Sequence, residues 1–213
     1  MKYTLSALLI LFLSSCSWVE ENIWGVPESK LEKTIVENVN NDIFQLEGSY
    51  KSEQGVDITS SEISFEVDGL SDTKGRFNAF TIELKGNPKK NQLSLNVSIQ
   101  SNSIFTENET RDEHLLNEDF FNAETYPIIA FKSKDICAID SSFIAKGKLS
   151  LVGVESKIQV PFNYLGSSTD AAGETIYIFE GKVEFDRTSH GMQEAPSVGN
   201  IVTLHFYTEL KKQ

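Results

Sequence analysis

"QLSLNVSIQSNSIFTENETRDEHLLNEDFFNAETYPIIAFKS", residues 92–133, changes its periodicity twice. Leu93, Leu95, Val97 and Ile99 alternate with Ser94, Asn96, Ser98 and Gln100, the period-two pattern of a strand with one wet and one apolar face. After Thr106 the alternation stops. Asn108 or Thr106 can cap a short helix that carries Glu109 and Asp112 in its first turn. "EDFFN" reads as a further helical turn or a tight loop, and Tyr126-Pro127 returns the chain to an extended "IIAFKS". The stretch is a strand, a helical insertion and a second strand, and an insertion of this kind covers one end of a barrel.

The same alternation recurs on both sides. It is present in "EISFEV" (Ile63, Phe65, Val67), "KGKLSLVGV" (Leu149, Leu151) and "KIQVPF" (Ile158, Val160, Phe162). It returns in "IYIFEGKVEF" (Tyr177, Phe179, Gly181, Val183, Phe185) and "IVTLHFYTEL" (Val202, Leu204, Phe206). Turn signals separate these runs at Asp68-Gly69, Gly86-Asn87-Pro88, Asp140-Ser141-Ser142, Gly166-Ser167-Ser168 and Ala172-Gly173. About eight antiparallel strands in roughly 160 residues predict an all-β domain, a closed barrel or a sandwich. An eight-stranded barrel is of the size that side chains can fill or that can hold one small ligand. The apolar inward faces leave a solid core and a greasy cavity equally open.

The chain has 213 residues, enough for one domain with a substantial core. Its net charge of −12 argues against a nucleic-acid partner, because scattered lysines on an acidic chain do not hold a phosphate backbone. Fourteen phenylalanines against two methionines fit an aromatic, strand-rich interior. Two cysteines, Cys16 and Cys137, make no disulfide framework, and Cys137 in "KDICAID" is expected as a free thiol on or near a strand.

The N-terminus "MKYTLSALLILFLSSC" has a positive Lys2, an apolar run from Leu8 to Leu13 and small residues before a cysteine. It reads as a secretory signal, too short for a membrane span. Leu13-Ser14-Ser15-Cys16 resembles the bacterial lipobox, in which the cysteine becomes the first mature residue and carries a diacylglycerol thioether. The expected organisation is a signal peptide over 1–15, a lipidated tether over 16–48 and a barrel over 49–213. Within the tether Leu31, Ile35, Val39 and Ile43 fall four residues apart, the stripe of a short amphipathic helix. The expected location is the cell envelope, with Ser17 after the cysteine favouring the outer membrane, facing the periplasm.

Catalysis finds little support. Arg111, Asp112 and His114 do not converge from a short helix on one reactive point, and no nucleophile sits in a recognisable elbow. The three histidines, His114, His190 and His205, have no metal-ligand spacing. The favoured reading makes Arg111 or Asp112 an anchor that pins the insertion to the rim, with Leu115, Phe120 and Phe121 turned to the interior.

Several of these segments, taken together, resemble the YceI-like family. "SIFTENETRDEHLLNEDFFNAETYPIIAFKS" is similar to the family's R-D-x-H-L, D-F-F, Y-P and x-F-x-S elements. "ISFEVDGLSDTKGRFNAF" is similar to its first strand pair, with Gly75, Phe77 and Phe80 in the G-x-F-x-x-F positions. "AKGKLSLVGVESKIQVPF" resembles its G-x-L-T-L-x-G-V-x-K-x-V pair, and "FDRTSHGM" with "VGNIVTLHFYTEL" its closing elements. The resemblance spans roughly residues 55–211. It implies a lipocalin-like antiparallel eight-stranded barrel that is no enzyme. Such a barrel holds an isoprenoid-type lipid, such as a polyprenoid or a quinone tail, or a fatty amphiphile such as a fatty amide. Two family histidines have no counterpart here, at Ser60 and in "VDGLSD".

The expected barrel lining is Phe65, Val67, Phe77, Phe80, Leu95, Val97, Ile99, Phe121, Phe131, Leu149, Leu151, Val160, Phe162, Phe179, Val183, Leu204 and Phe206. The expected partners are a lipid ligand and, through lipidated Cys16, a membrane. No cofactor is called for, and a homodimer stays open.

Overall fold

The computed structural model describes residues 41–52, 60–69 and 72–213. The expected signal segment, Cys16 of the lipobox-like stretch and the stripe from Leu31 to Val39 lie outside the described residues. Eleven strands form one antiparallel sheet: β1 (Gly48–Ser52), β2 (Ser61–Gly69), β3 (Thr73–Phe77), β4 (Phe80–Asn87), β5 (Gln92–Gln100), β6 (Ile104–Phe105), β7 (Ile128–Ile139), β8 (Ser142–Leu151), β9 (Val154–Thr169), β10 (Thr175–Asp186) and β11 (Val198–Lys212). Three pairs of these are successive parts of one wall strand. β1 and β2 share one edge of β11, β3 and β4 follow each other across Asn78 and Ala79, and β5 and β6 across a single turn. Counted this way the wall has eight strands. They run up and down in chain order and close where β11 meets β1 and β2.

Hairpin chemistry sets the register. Asp140 (φ 50°) turns β7 into β8, and Val152 (φ 48°) with Gly153 (φ 73°) turns β8 into β9. Two successive positive φ angles match the right-handed twist of the flanking strands. The Gly166-Ser167-Ser168 turn expected from sequence is not a turn. β9 runs on to Thr169, and Gly166 (φ 129°) sits at a register shift opposite Ile178 and Phe179, so the glycine makes a bulge that bends the strand.

The floor of the barrel is packed solid. Asn41–Gln45 forms a 3-10 helix whose Ile43 is fully buried, followed by a buried Leu46. A Cβ at Gly86 would lie 2.0 Å from the Leu46 carbonyl oxygen, so only glycine lets this segment cross β4 so closely. The last residues of the expected tether, Ile43 and Leu46 among them, thus pack onto the barrel core. Above Ile43 a chain of rings fills the lumen. Phe44 meets Phe143 at 6.0 Å, Phe143 stacks on Phe162 at 5.4 Å, and Phe162 meets Phe179 at 6.1 Å. Tyr164, Tyr177 and Tyr50 continue the series. Cys137, expected as a free thiol, is buried on β7, and no cysteine among the described residues is free.

At the opposite end the connection from β10 to β11 is organised by Arg187, 2% exposed. Its guanidinium donates to the carbonyls of Gly199, Gln193 and Val198 and to Asn200 Oδ1. Four acceptors offset the cost of burying the charge and hold residues 193–200 as a strap. His190, also 2% exposed, sits beside Ser156 Oγ and edge-on to Phe185. Burial holds its pKa below the ordinary 6.5, with the nearby Asp186 pulling the other way.

Two expectations follow. Ile43→Ala removes a fully buried side chain from the floor and should cost about 2–5 kcal/mol in urea unfolding, as for other large-to-small core changes. For His190 the folded protein holds the proton less tightly than the unfolded chain, so the unfolded chain gains protons first on acidification. Stability should be fully present above pH 6.5, the ordinary value, and fall as pH drops through the window between that value and the lowered one. His190→Gln should flatten this part of a Tm–pH profile, and an unchanged slope would count against the assignment.

Candidate functional site: an apolar cavity under a helical lid

Above the aromatic floor the barrel interior is open. The cavity measures about 550 Å³. Its wall comes from every part of the barrel: Ile63, Phe65 and Val67 on β2, Phe77 on β3, Leu95, Val97 and Ile99 on β5, and Phe131 on β7. Leu149 and Leu151 on β8, Val160 on β9, Val183 on β10, and Leu204 and Phe206 on β11 complete it. Period-two alternation puts these side chains on one face of their strands, and closure points that face inward.

The roof is the insertion between β6 and β7. Helix α1 (Glu109–Leu115) begins at Asn108, whose side chain accepts from the Arg111 backbone N–H. Thr106 is the anchor point. Its N–H and its hydroxyl both donate to Asp112 Oδ1, and the Arg111 guanidinium donates to the Thr106 hydroxyl and carbonyl. Asp112 and Arg111 together therefore pin the helix to the rim. Leu115 and Phe121 descend into the cavity. Phe121 meets Phe77 edge to face at 5.8 Å. Phe120 is buried between the His114 ring at 5.2 Å and the Arg187 guanidinium at 5.7 Å. Gln193 N–H donates to the Asp119 carbonyl, so strap and lid meet over the mouth. The Ser101 hydroxyl donates to the Tyr126 carbonyl and fixes the far end of the insertion.

The mouth is where the polar groups gather. Arg111, His114, Asp119, Arg187, Gln193 and Glu194 border it. His114 Nε2 lies 3.9 Å from Asp119 Oδ2 at the exposed surface. Burial lowers the pKa of Arg187 from its usual value, while Asp186 and Glu194 oppose that shift. Arg111 is thus both an anchor and a cavity border, which the sequence reading kept apart. His190 is buried away from the cavity wall, and His205 lies opposite Lys182 and Ser64 on the barrel's other face. Arg111, Asp112 and His114 form no convergent acid–base group, because the first two are spent on Thr106.

Three of the expected lining residues are elsewhere. Phe162 and Phe179 are buried in the ring series of the floor, below the cavity. Phe80 opens β4 just after the break at Asn78 and Ala79, and packs against the core without bordering the cavity. Sequence reading also missed several borders of the site: Thr73, Ile82, Ile129, Ile158, Phe185, Met192, Val202 and the strap from Gln193 to Val198. The strap's signal was present in "FDRTSHGMQEAPSVGN", where an arginine directly follows an apolar strand and ten residues without alternation separate it from the next strand at Val198.

Comparison with known proteins places this geometry. A UPF0312 protein of Pseudomonas paraeruginosa is 32% identical over 129 residues, covering 59% of this chain and 66% of that protein. A Vibrio cholerae UPF0312 protein is 28% identical over 62% of this chain and 72% of its own length. The match thus spans just under two thirds of the first of these relatives. Among solved structures, a Campylobacter jejuni YceI protein aligns with a TM-score of 0.60 at 26% identity, over 67% of this chain and 86% of that one. A polyisoprenoid binding domain from Saccharophagus degradans shares the fold, with a TM-score of 0.58 at 13% identity over 79% of this chain and 100% of that one. The YceI-like domain description matches residues 55–210, nearly the whole closed barrel, and the chain belongs to the YceI-like family.

Proposed function

We propose that the protein binds the hydrocarbon chain of an isoprenoid-type or fatty amphiphile non-covalently inside its barrel, and serves as a membrane-tethered carrier or reservoir for it. The observation that carries this reading is the apolar cavity of about 550 Å³ beneath a pinned lid. Its size lies within the ordinary range of ligand pockets, about 300–1,000 Å³. Taking about 30 Å³ per methylene-sized group, the volume of a water molecule in the liquid, the cavity accepts a chain of roughly 15–20 carbons. Each buried methylene contributes about 0.8 kcal/mol, so such a chain needs few polar contacts. The YceI-like family is a family of binding proteins, and the likeness to a polyisoprenoid binding domain supports the same class of ligand at the level of fold.

The filled-barrel alternative describes the lower half of the interior alone. The aromatic series occupies that half, whereas the upper half is enclosed by apolar side chains that do not meet across it. Arg111 and the other polar groups of the mouth then face the head of the amphiphile. Cys16 lies outside the described residues. Its reading as a diacylglyceryl anchor at the outer membrane, facing the periplasm, belongs to this proposal, rests on the lipobox-like Leu13-Ser14-Ser15-Cys16, and excludes a disulfide at Cys16, since a thioether sulfur forms none.

The first test is native mass spectrometry of residues 17–213, purified without detergent, followed by organic extraction. A stoichiometric lipid adduct, lost in Phe131→Glu, is the expected result. An apo mass that persists after incubation with quinones, polyprenols and fatty amides would refute the reading. The anchor is read separately, from the intact mass of the full chain produced in a bacterium, taken with and without reductant. A diacylglyceryl adduct on Cys16 supports tethering, and an unmodified cysteine rejects it. For the lid, Asp112→Ala leaves the buried Thr106 N–H without its acceptor, which costs about 1–3 kcal/mol. It should speed ligand release in stopped-flow displacement more than it lowers Tm.

A further inference from the structure

Three aromatic rings of the cavity wall rest on glycines of a neighbouring strand. Phe65 is the cross-strand partner of Gly75, and Phe206 of Gly181. Phe131 reaches Gly147 on β8. A Cβ at Gly75 would stand 2.5 Å from Phe65 Cζ, one at Gly181 2.4 Å from Phe206 Cε1, and one at Gly147 2.8 Å from Phe131 Cε2. None of the three glycines has a positive φ. The backbone conformation at these positions is open to any residue, so the neighbouring atoms alone require glycine. Each ring occupies space over bare backbone that a side chain would otherwise take.

We propose that Gly75, Gly147 and Gly181 set the volume of the cavity, and so the longest chain it accepts, by giving Phe65, Phe131 and Phe206 recesses in the barrel wall. The inference rests on the lipid-binding reading for its ligand, but its geometric half stands apart from that reading. A side chain at any of the three positions pushes the facing ring out of its recess. Phe65 cannot slide aside along the wall, because Phe77 stands 5.6 Å away. The ring must then turn into the lumen.

Gly75 is the cleanest site to test. At Gly147 and Gly181 an added Cβ also meets backbone, the Lys132 carbonyl at 2.4 Å and the Pro161 carbonyl at 2.6 Å, so the strands themselves would shift. At Gly75 the nearest atoms are side-chain atoms only, the Phe65 ring and the Thr106 methyl at 2.8 Å.

The experiment measures binding of geraniol and geranylgeraniol to the wild-type chain, Gly75→Ala, Phe65→Leu and the double variant, with crystal structures of wild type and Gly75→Ala. Gly75→Ala should weaken geranylgeraniol binding about tenfold or more while geraniol changes by less than about twofold, since one methylene of fit in an apolar pocket is worth at least a factor of ten. The double variant should recover the longer alcohol, which assigns the loss to the ring and not to the Thr106 methyl. In the crystal, the Phe65 ring of Gly75→Ala should enter the cavity. Equal affinity for both alcohols with the ring unmoved would overturn the proposal. Should Gly75→Ala not fold, Phe65→Leu carries the test: it must accept alcohols longer than the wild type does, and an unchanged length limit overturns the proposal. If the wild type binds neither alcohol, the isoprenoid half of the lipid reading fails, and the recess claim is decided by the two cavity volumes alone.

Discussion

Closure of the barrel rests on β11, which hydrogen-bonds along both edges. One edge pairs with β10 from Lys211 to Ile201, and the other is shared between β2 and β1. Without the second edge the remaining strands would form an open meander with two exposed ladders. Closure turns one face of every strand into an interior, and the other consequences follow from it. The Ser52 hydroxyl accepts from Ile82 N–H, and Thr208 pairs with Ser61, so polar groups on the inner wall are satisfied locally. No buried side-chain nitrogen or oxygen among the described residues lacks a partner. A dry interior is therefore stable without ordered water to satisfy it.

Within that interior, residue size divides the work. The lower half receives its large rings from β1, β8, β9, β10 and the 3-10 helix, and they pack on one another in series. The upper half is lined by many Leu, Val and Ile side chains, and three of its rings, Phe65, Phe131 and Phe206, stand over glycines. Both halves follow the same period-two alternation. The difference lies in volume and in which residues face each other across the lumen, properties of the closed sheet and not of any one strand.

That explains which parts of the protein could be read in advance. Strand alternation, the Asn108 cap, the Asp112 and Arg111 anchor and the Tyr126-Pro127 return are local, and all appear where local rules put them. The family match rests on the same local motifs. The misplaced residues are those whose position depends on distant chain. Phe162 and Phe179 obey the inward pattern yet belong to the floor, because Phe143 and Tyr164 meet them from other positions along the wall. Ile43, the last residue of the expected stripe, is a floor residue, because Gly86 more than forty positions later admits its segment. Arg187 stood inside a recognisable motif, but nothing local showed what it binds. Its importance comes from carbonyls six to twelve residues downstream that curl back onto it.

Both ends of the described chain meet at the floor. Gln213 N–H donates to the Ser49 carbonyl, and β1 pairs with the last residues of β11. The lid and strap occupy the opposite pole. Anything that holds this protein at the first or last of its described residues therefore grips it by the base, with the opening turned away from the holder. Exchange of a chain with the holding surface would require the barrel to turn over. Exchange with a second surface, across whatever gap separates the two, would need no such turn.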